Sequence, residues 1–114
     1  MQLFYHQIYE YQKGVRNLIL ATEKIENLEK IKIRLEKEKI PYLVHKIDKD
    51  KFNIYFGDQR NIDVVKTFNT YRLDKISVEQ DFILGIMLGY DRLKQCERYL
   101  NKKNKSNKLE QLAG

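Results

Sequence analysis

The only proline of the chain, Pro41, separates a helical pattern from an extended one. Between residues 25 and 35, apolar side chains recur every three or four positions, which is the spacing of one face of an amphipathic helix. A proline cannot continue the helical hydrogen-bond ladder, and it drives the residue before it into extended backbone. The helix is therefore predicted to end before Pro41, and extended chain must follow.

Three strands are predicted around this helix. The segments 42–47 and 52–56 flank the turn "DKDK", whose aspartates favour local backbone hydrogen bonds, so the two segments should pair as a hairpin. The run "NLILAT" at 17–22 is short and continuously apolar, as buried strands are. Thr22, at its end, is expected to cap the helix with its hydroxyl group.

These elements predict an α+β fold with a β-α-β-β-α core. The connection from 17–22 to 42–47 should be right-handed and should make those strands parallel, which gives a small three-stranded mixed sheet packed by helices. A short helix over 61–68 completes the core. The first segment, 3–13, fits both helical spacing and strand alternation; we predict a helix, and a strand stays open.

The stretch "DFILGIMLGYDRLKQCERYL", residues 81–100, is predicted to be one long C-terminal helix that Ser77 and Gln80 begin with a capping box. A glycine inside a helix costs about 1 kcal/mol relative to alanine, so its two glycines indicate that another helix packs closely there. A kink at Gly89 is the alternative. Residues spaced by three and four then form the predicted homodimer interface: Phe82, Gly85, Ile86, Gly89, Leu93 and Cys96.

Charge and length suggest one domain with a basic tail. A chain of 114 residues suits a single core, predicted over 1–100. Residues 101–114 hold four lysines against one glutamate, so half of the net charge of +6 lies in a tail that we expect to be flexible. Such a tail can contact phosphate groups. An acidic protein partner would satisfy the same charge, because complementary potentials speed encounter without base readout, and nucleic acid is the less favoured partner.

No pattern of a cofactor, metal or catalytic site is present in the sequence. The glycines are isolated, the two histidines lack ligand spacing, and the single cysteine excludes an internal disulfide and a thiolate cluster. Cys96 lies on the apolar stripe, so a packing role is preferred over a reactive thiol. No apolar run approaches the roughly 20 residues that span a bilayer, and the N-terminus lacks signal-peptide features. A cytoplasmic location is expected.

Two groups of polar and aromatic side chains are the candidates for recognition. A histidine, two phenols, a carboxylate and a guanidinium lie close together near the N-terminus and could line the pocket of a small enzyme or a flavin-related binding protein. Ordinary packing and ion pairing is the simpler interpretation of both groups. The candidates are Tyr5, His6, Tyr9, Glu10 and Arg16 in the first group, and Tyr90, Asp91 and Arg92 in the second.

The motifs "HQIYEYQKGVRNLIL" and "DFILGIMLGYDRLKQCERYL", with "IPYLV" between them, resemble a small bacterial family of uncharacterised proteins of about this length. The resemblance covers most of residues 4–100 and is weakest over 58–76. It implies a fold of three strands and five helices, a homodimer, and genes that often lie beside a flavodoxin gene. It supplies no catalytic residues. The function it suggests is a small interaction or regulatory module linked to flavodoxin electron transfer.

Overall fold

The structure is a computed structural model that describes residues 1–113, with side chains through residue 105. Contacts within the chain divide it into two compact units, Met1–Asn69 and the part from Thr70 onwards. The first unit contains α1 (Gln2–Gln12), β1 (Leu18–Lys24), α2 (Leu28–Lys37), β2 (Tyr42–Lys46), β3 (Lys51–Gly57) and α3 (Gln59–Lys66). The second contains α4 (Val78–Met87) and α5 (Arg92–Ala113). The α+β class is confirmed.

The single domain predicted over residues 1–100 stays a prediction, and each unit is described by itself below. The backbone of α5 continues as helix through Ala113, so the segment predicted to be a tail begins inside a helix. At the other end of the chain, the ambiguous segment 3–13 is helical, as predicted. Phe4 and Ile8 lie one turn apart on the buried side of α1.

The sheet has the strand order β1-β3-β2, and both pairings are antiparallel. The predicted hairpin is confirmed, and Asp48 Oδ1 shapes its turn by accepting from the Asp50 and Lys51 N–H groups at 2.7 and 3.0 Å. The predicted mixed sheet is wrong. β1 and β2 run in the same direction, but β3 lies between them because its residues from Phe52 to Gly57 are all buried, which requires a neighbour on each side.

The core of the first unit lies on one face of this sheet. Ile19 of β1 stands opposite Phe56 of β3, and Ala21 stands opposite Ile54, so one face presents a continuous apolar surface. The helices before and after β1 cover it. Their fully buried residues are Phe4 and Ile8 from α1 and Ile31 and Leu35 from α2.

The opposite face of the sheet is partly polar. The prediction that Thr22 caps the helix is wrong, because β1 continues past it to Lys24 and a 3₁₀ turn precedes α2. Its Oγ1 instead donates to Asn53 Oδ1 at 2.7 Å across the β1–β3 pair. Asn53 is buried, so this bond satisfies a group whose burial would otherwise be costly. None of the described helices is long and apolar enough to cross a bilayer.

Gly57 ends β3 at a point where only glycine fits. Its φ is 145°, and a Cβ built on it would collide with the backbone carbonyl of Asn17. Gly57→Ala is expected to lower the free energy of unfolding by about 2–3 kcal/mol, measured by urea unfolding, because backbone must move to admit the methyl group. Gly14→Ala is the control: φ is 76° there, but the space is open. It should cost about 1 kcal/mol. Equal losses would contradict the collision.

Candidate functional site

The second unit is a hairpin of two helices, α4 and α5. Ser77 begins α4 with the predicted capping box. The Gln80 N–H donates to Ser77 Oγ, and the Ser77 N–H donates to Gln80 Oε1, both at 3.0 Å. Two N–H groups that the first turn leaves without helical partners are satisfied in this way, which fixes the start of α4.

A glycine turn ends α4, so the single helix predicted over 81–100 is wrong. Gly89 adopts a left-handed φ of 81°. The Tyr90 N–H donates to the Gly85 carbonyl at 3.1 Å, and the Gly89 N–H donates to the Ile86 carbonyl at 3.0 Å. These two bonds form a Schellman motif, which satisfies the last carbonyl groups of the helix and turns the chain. Gly89 therefore provides backbone conformation, and it is not a contact residue on a continuous helix.

Asp91 begins α5. Its Oδ1 accepts from the Lys94 N–H at 2.9 Å, and its carbonyl accepts from the Gln95 N–H at 3.0 Å. Asp91, one of the predicted recognition residues, is thus a helix cap. Tyr90 and Arg92 flank it and are exposed, so these two side chains remain available for recognition.

Gly85 is buried where α4 meets α5. A Cβ on it would collide with the side-chain amide of Gln95, so the absence of a side chain at Gly85 leaves room for that amide. Gly85 therefore contacts a side chain of α5 in the same chain. Helical spacing within α5 does not reveal which residue faces Gly85, so Gln95 could not be assigned as its neighbour from the sequence.

Asp81 links the two helices through charged hydrogen bonds. Arg98 Nε donates to Asp81 Oδ2 at 2.9 Å and Arg98 Nη2 donates to Oδ1 at 3.1 Å, while Lys102 Nζ lies 3.4 Å from Oδ1. The hydrogen bond from Arg98 is the main cause that lowers the pKa of the Asp81 carboxyl, because it favours the charged form.

Glu79, two residues before Asp81, makes a second link. Lys103 Nζ lies 2.9 Å from Glu79 Oε2, which also accepts from Tyr99 Oη at 3.0 Å. The hydrogen bond with Lys103 is the main cause that lowers the pKa of Glu79, and the bond to Glu79 raises the pKa of Tyr99. Two lysines counted in the excess positive charge, Lys102 and Lys103, are thus paired within the hairpin.

The hairpin also carries exposed apolar side chains, which we call the apolar face. Leu93 is 75% exposed and Leu100 is 55% exposed, far more than aliphatic side chains in a core. A groove of about 450 Å³ runs between the helices on this side. The apolar face consists of Ile83 and Ile86 from α4, Leu93 and Leu100 from α5, and the partly buried Phe82 and Cys96. The groove is lined by Glu79, Phe82, Ile83, Cys96, Tyr99 and Leu100.

Four of the six predicted interface residues lie on the apolar face: Phe82, Ile86, Leu93 and Cys96. The two glycines do not, since Gly85 is inside the hairpin and Gly89 is in its turn. Ile83 was missed because a stripe drawn along one continuous helix passes beside it. The free thiol of Cys96 lines the groove and is partly buried.

The N-terminal group of candidates is assembled only in part. His6 Nε2 lies 3.0 Å from Glu10 Oε1, and Arg16 Nη1 lies 3.7 Å from Glu10 Oε2. These three side chains form an ion-pair cluster on α1 with His6 largely exposed. The two tyrosines instead lie against other cations: Arg34 is 5.5 Å from the centre of the Tyr5 ring, and Lys13 is 5.4 Å from that of Tyr9.

The described side chains contain no group of three or more histidine, cysteine or acidic residues able to hold a metal ion. His45, the other histidine, lies in β2 edge-on to the buried Tyr55 ring, with ring centres 5.7 Å apart. Burial lowers the pKa of His45 and raises that of Tyr55 to about 12. Both pKa shifts have the direction that burial alone produces, so they indicate packing.

The comparison with protein families gives one match. The family described as "Protein of unknown function (DUF2023)" matches residues 2–102. The chain belongs to this family. No curated protein matches the chain. Membership in the DUF2023 family covers both units and assigns no activity, so the function is argued below from the geometry of the site.

Asp81→Asn is expected to lower the free energy of unfolding at neutral pH by about 1–2 kcal/mol, because it removes a charged hydrogen bond between helices. The pKa of Asp81 is lowered in the folded protein, so its contribution is complete above the ordinary value of 3.8 and is lost as pH falls through the lower folded value. The difference between wild type and variant, measured by urea unfolding, should therefore shrink below about pH 4.

Asp74→Asn is the matched control for this measurement. Asp74 pairs with Arg72 at 3.0 Å, but both side chains are well exposed and belong to the same local turn. Removing such a pair should change stability by less than about 0.5 kcal/mol. A pH-independent loss in Asp81→Asn, or an equal loss in the control, would contradict the role of Asp81.

Proposed function

We propose that the protein is a small homodimeric interaction module and that two copies meet through the apolar face of the hairpin. The observation that carries this proposal is the exposure of large aliphatic side chains on both α4 and α5, of which Ile83 and Leu100 line the same apolar groove. Contiguous apolar patches on soluble proteins mark interaction sites more often than idle surface. An enzyme would need convergent polar groups in its pocket, whereas this groove is almost wholly apolar.

A second copy fits the apolar face on three physical grounds. In a two-fold dimer the same patch meets itself, so an apolar surface finds an apolar partner. Leu93, Cys96 and Leu100 have the three-four spacing with which helices pack against each other. The groove is also large enough to receive an aliphatic side chain from the other copy.

Dimerisation through this face would not bury charged groups without partners. Among the side chains that the structure describes, the groove is lined by one carboxylate, Glu79, which is held by Lys103 and Tyr99. A carboxylate with its partners in place can be covered at lower cost than an unpaired one. The pairing inside each hairpin therefore prepares the apolar face for burial.

We propose further that the dimer serves an acidic electron-transfer protein such as flavodoxin in the cytoplasm. Support comes from the family resemblance and from the net charge of +6, because complementary charge speeds encounter and favours one class of partner. Binding of purified flavodoxin to the immobilised protein is the test. Flavodoxin should bind at low salt and should bind more weakly at moderate salt. Absence of binding at low salt would reject this partner.

The two alternatives have less support. The His6 side chain of the His6, Glu10 and Arg16 cluster is largely exposed, so water has access to the imidazole that an enzyme centred there would use. Nucleic-acid binding loses part of its basis because Lys102 and Lys103 are paired with carboxylates of α4. Both alternatives rank below the interaction module.

Leu93→Glu and Leu100→Glu are each expected to weaken the dimer at least a hundredfold, which corresponds to about 2.7 kcal/mol, because each would bury a charge in an apolar contact. Sedimentation equilibrium measures this directly. Ile33→Glu is the matched control, since Ile33 is an aliphatic residue of α2 that is 63% exposed and lies outside the apolar face. It should leave the dimer intact.

Cys96 provides an independent measure of the same interface. Its thiol lines the groove, so dimerisation should slow its reaction with a thiol reagent, and Leu93→Glu should restore fast reaction. A wild-type chain that stays monomeric at hundreds of micromolar would reject the proposal. So would a dimer that survives both leucine substitutions.

A further inference from the structure

The outer edge of β1 presents unpaired backbone groups. The Ile25 N–H donates to the Asp50 carbonyl at 2.8 Å, and the Asp58 N–H donates to the Asn17 carbonyl at 2.9 Å. Backbone groups of alternate residues face the neighbour in an antiparallel pair, so the odd-numbered residues of β1 bond to β3. The backbone N–H and C=O groups of the even-numbered residues point away from β3. Leu18 is fully buried, so the accessible part of this edge consists of three residues that no backbone hydrogen bond from another described element reaches: Leu20, Thr22 and Lys24.

The two edges of the sheet differ in length. β2 pairs with β3 over five residues, whereas β1 pairs with β3 over seven consecutive residues without a bulge. The β1 edge is therefore the longer of the two at which a further strand can add.

A cleft with a positive balance lies at the end of this edge. It has a volume of about 350 Å³ and is lined by three lysines and two acidic residues, with Ile25 as its apolar part. Lys49 and Lys51 are exposed, so their ammonium groups are accessible. The charged lining residues are Lys24, Lys49, Lys51, Glu26 and Asp50.

We propose that the β1 edge binds an extended segment of another protein, and that an acidic end of this segment enters the lysine cleft. The backbone groups of β1 would provide affinity for any extended chain, and the cleft would select for negative charge. Antiparallel pairing is the more stable arrangement, so the acidic residues should lie at the N-terminal end of the bound segment. The proposal does not depend on the dimer, which uses the other unit.

Charge disfavours a second copy of β1 as the occupant. An antiparallel copy centred on Leu20 would bring its own Arg16 towards Lys24 and leave its Glu23 at the far end. Like charges would then meet at the lysine cleft. An acidic segment removes this repulsion.

The test uses the full chain and a peptide with two glutamates followed by alternating valine and threonine, acetylated and amidated at its ends. Titration calorimetry should show that it binds at least tenfold more tightly than the same peptide with glutamines, because only the glutamates complement the cleft. The double variant Lys49→Glu with Lys51→Glu should abolish that difference. Lys37→Glu, an exposed lysine at the end of α2, is the matched control and should preserve it.

Two N-methylated peptides separate strand addition from simple charge attraction. Methylation of alternate amides removes the donors on one side of the peptide, so one of the two methylated peptides should lose binding and the other should keep it. Equal binding of the glutamate and glutamine peptides, equal behaviour of the two methylated peptides, or no binding would overturn the proposal. Self-association that persists in Leu93→Glu and is strengthened by Lys24→Glu, which would place a carboxylate opposite Arg16 of the other copy, would also overturn it, in favour of a second copy.

Discussion

Burial of β3 on both faces is the constraint on which the first unit depends. Every residue from Phe52 to Gly57 is buried, so this strand must lie between two others and must be covered on both faces of the sheet. That requirement sets the order β1-β3-β2, in which both pairings are antiparallel. It also leaves β1 and β2 as the two edges of the sheet. The most apolar strand thus determines, indirectly, where a further strand could be accepted.

The second unit depends on a turn whose conformation only glycine adopts easily. Gly89 ends α4 with a left-handed residue, and Asp91 begins α5 two residues later. The resulting hairpin pairs its charges internally, through Asp81 with Arg98 and Glu79 with Lys103. Four of its aliphatic side chains are exposed: Ile83, Ile86, Leu93 and Leu100. A surface that is apolar in the middle and already charge-paired at its border resembles the centre and rim of an interface.

The sequence predicted the elements better than their arrangement. The helix before Pro41, the hairpin after it and the capping box at Ser77 follow from local chemistry, and each is found. The pairing of β1 with β3 could not be predicted, because the crossover rule sets the handedness of the connection between two parallel strands of one sheet and leaves open whether a third strand lies between them. Thr22 failed as a cap for a related reason: pairing with Asn53 extends the strand past it.

The two glycines of the hairpin show most clearly what periodicity leaves undetermined. Gly85 and Gly89 are four residues apart, which is the spacing of one close-packed helix face. Gly85 does provide close packing, against Gln95, whereas Gly89 provides a φ that other residues avoid. Both glycines fit the same sequence pattern, so the pattern does not distinguish a packing role from a conformational one. Because Gly89 divides the stripe between two helices, residues that a single helix would align now face one another across a groove. Phe82 and Cys96 therefore line the candidate site because two helices fold against each other, and not because the two residues share a face of one helix.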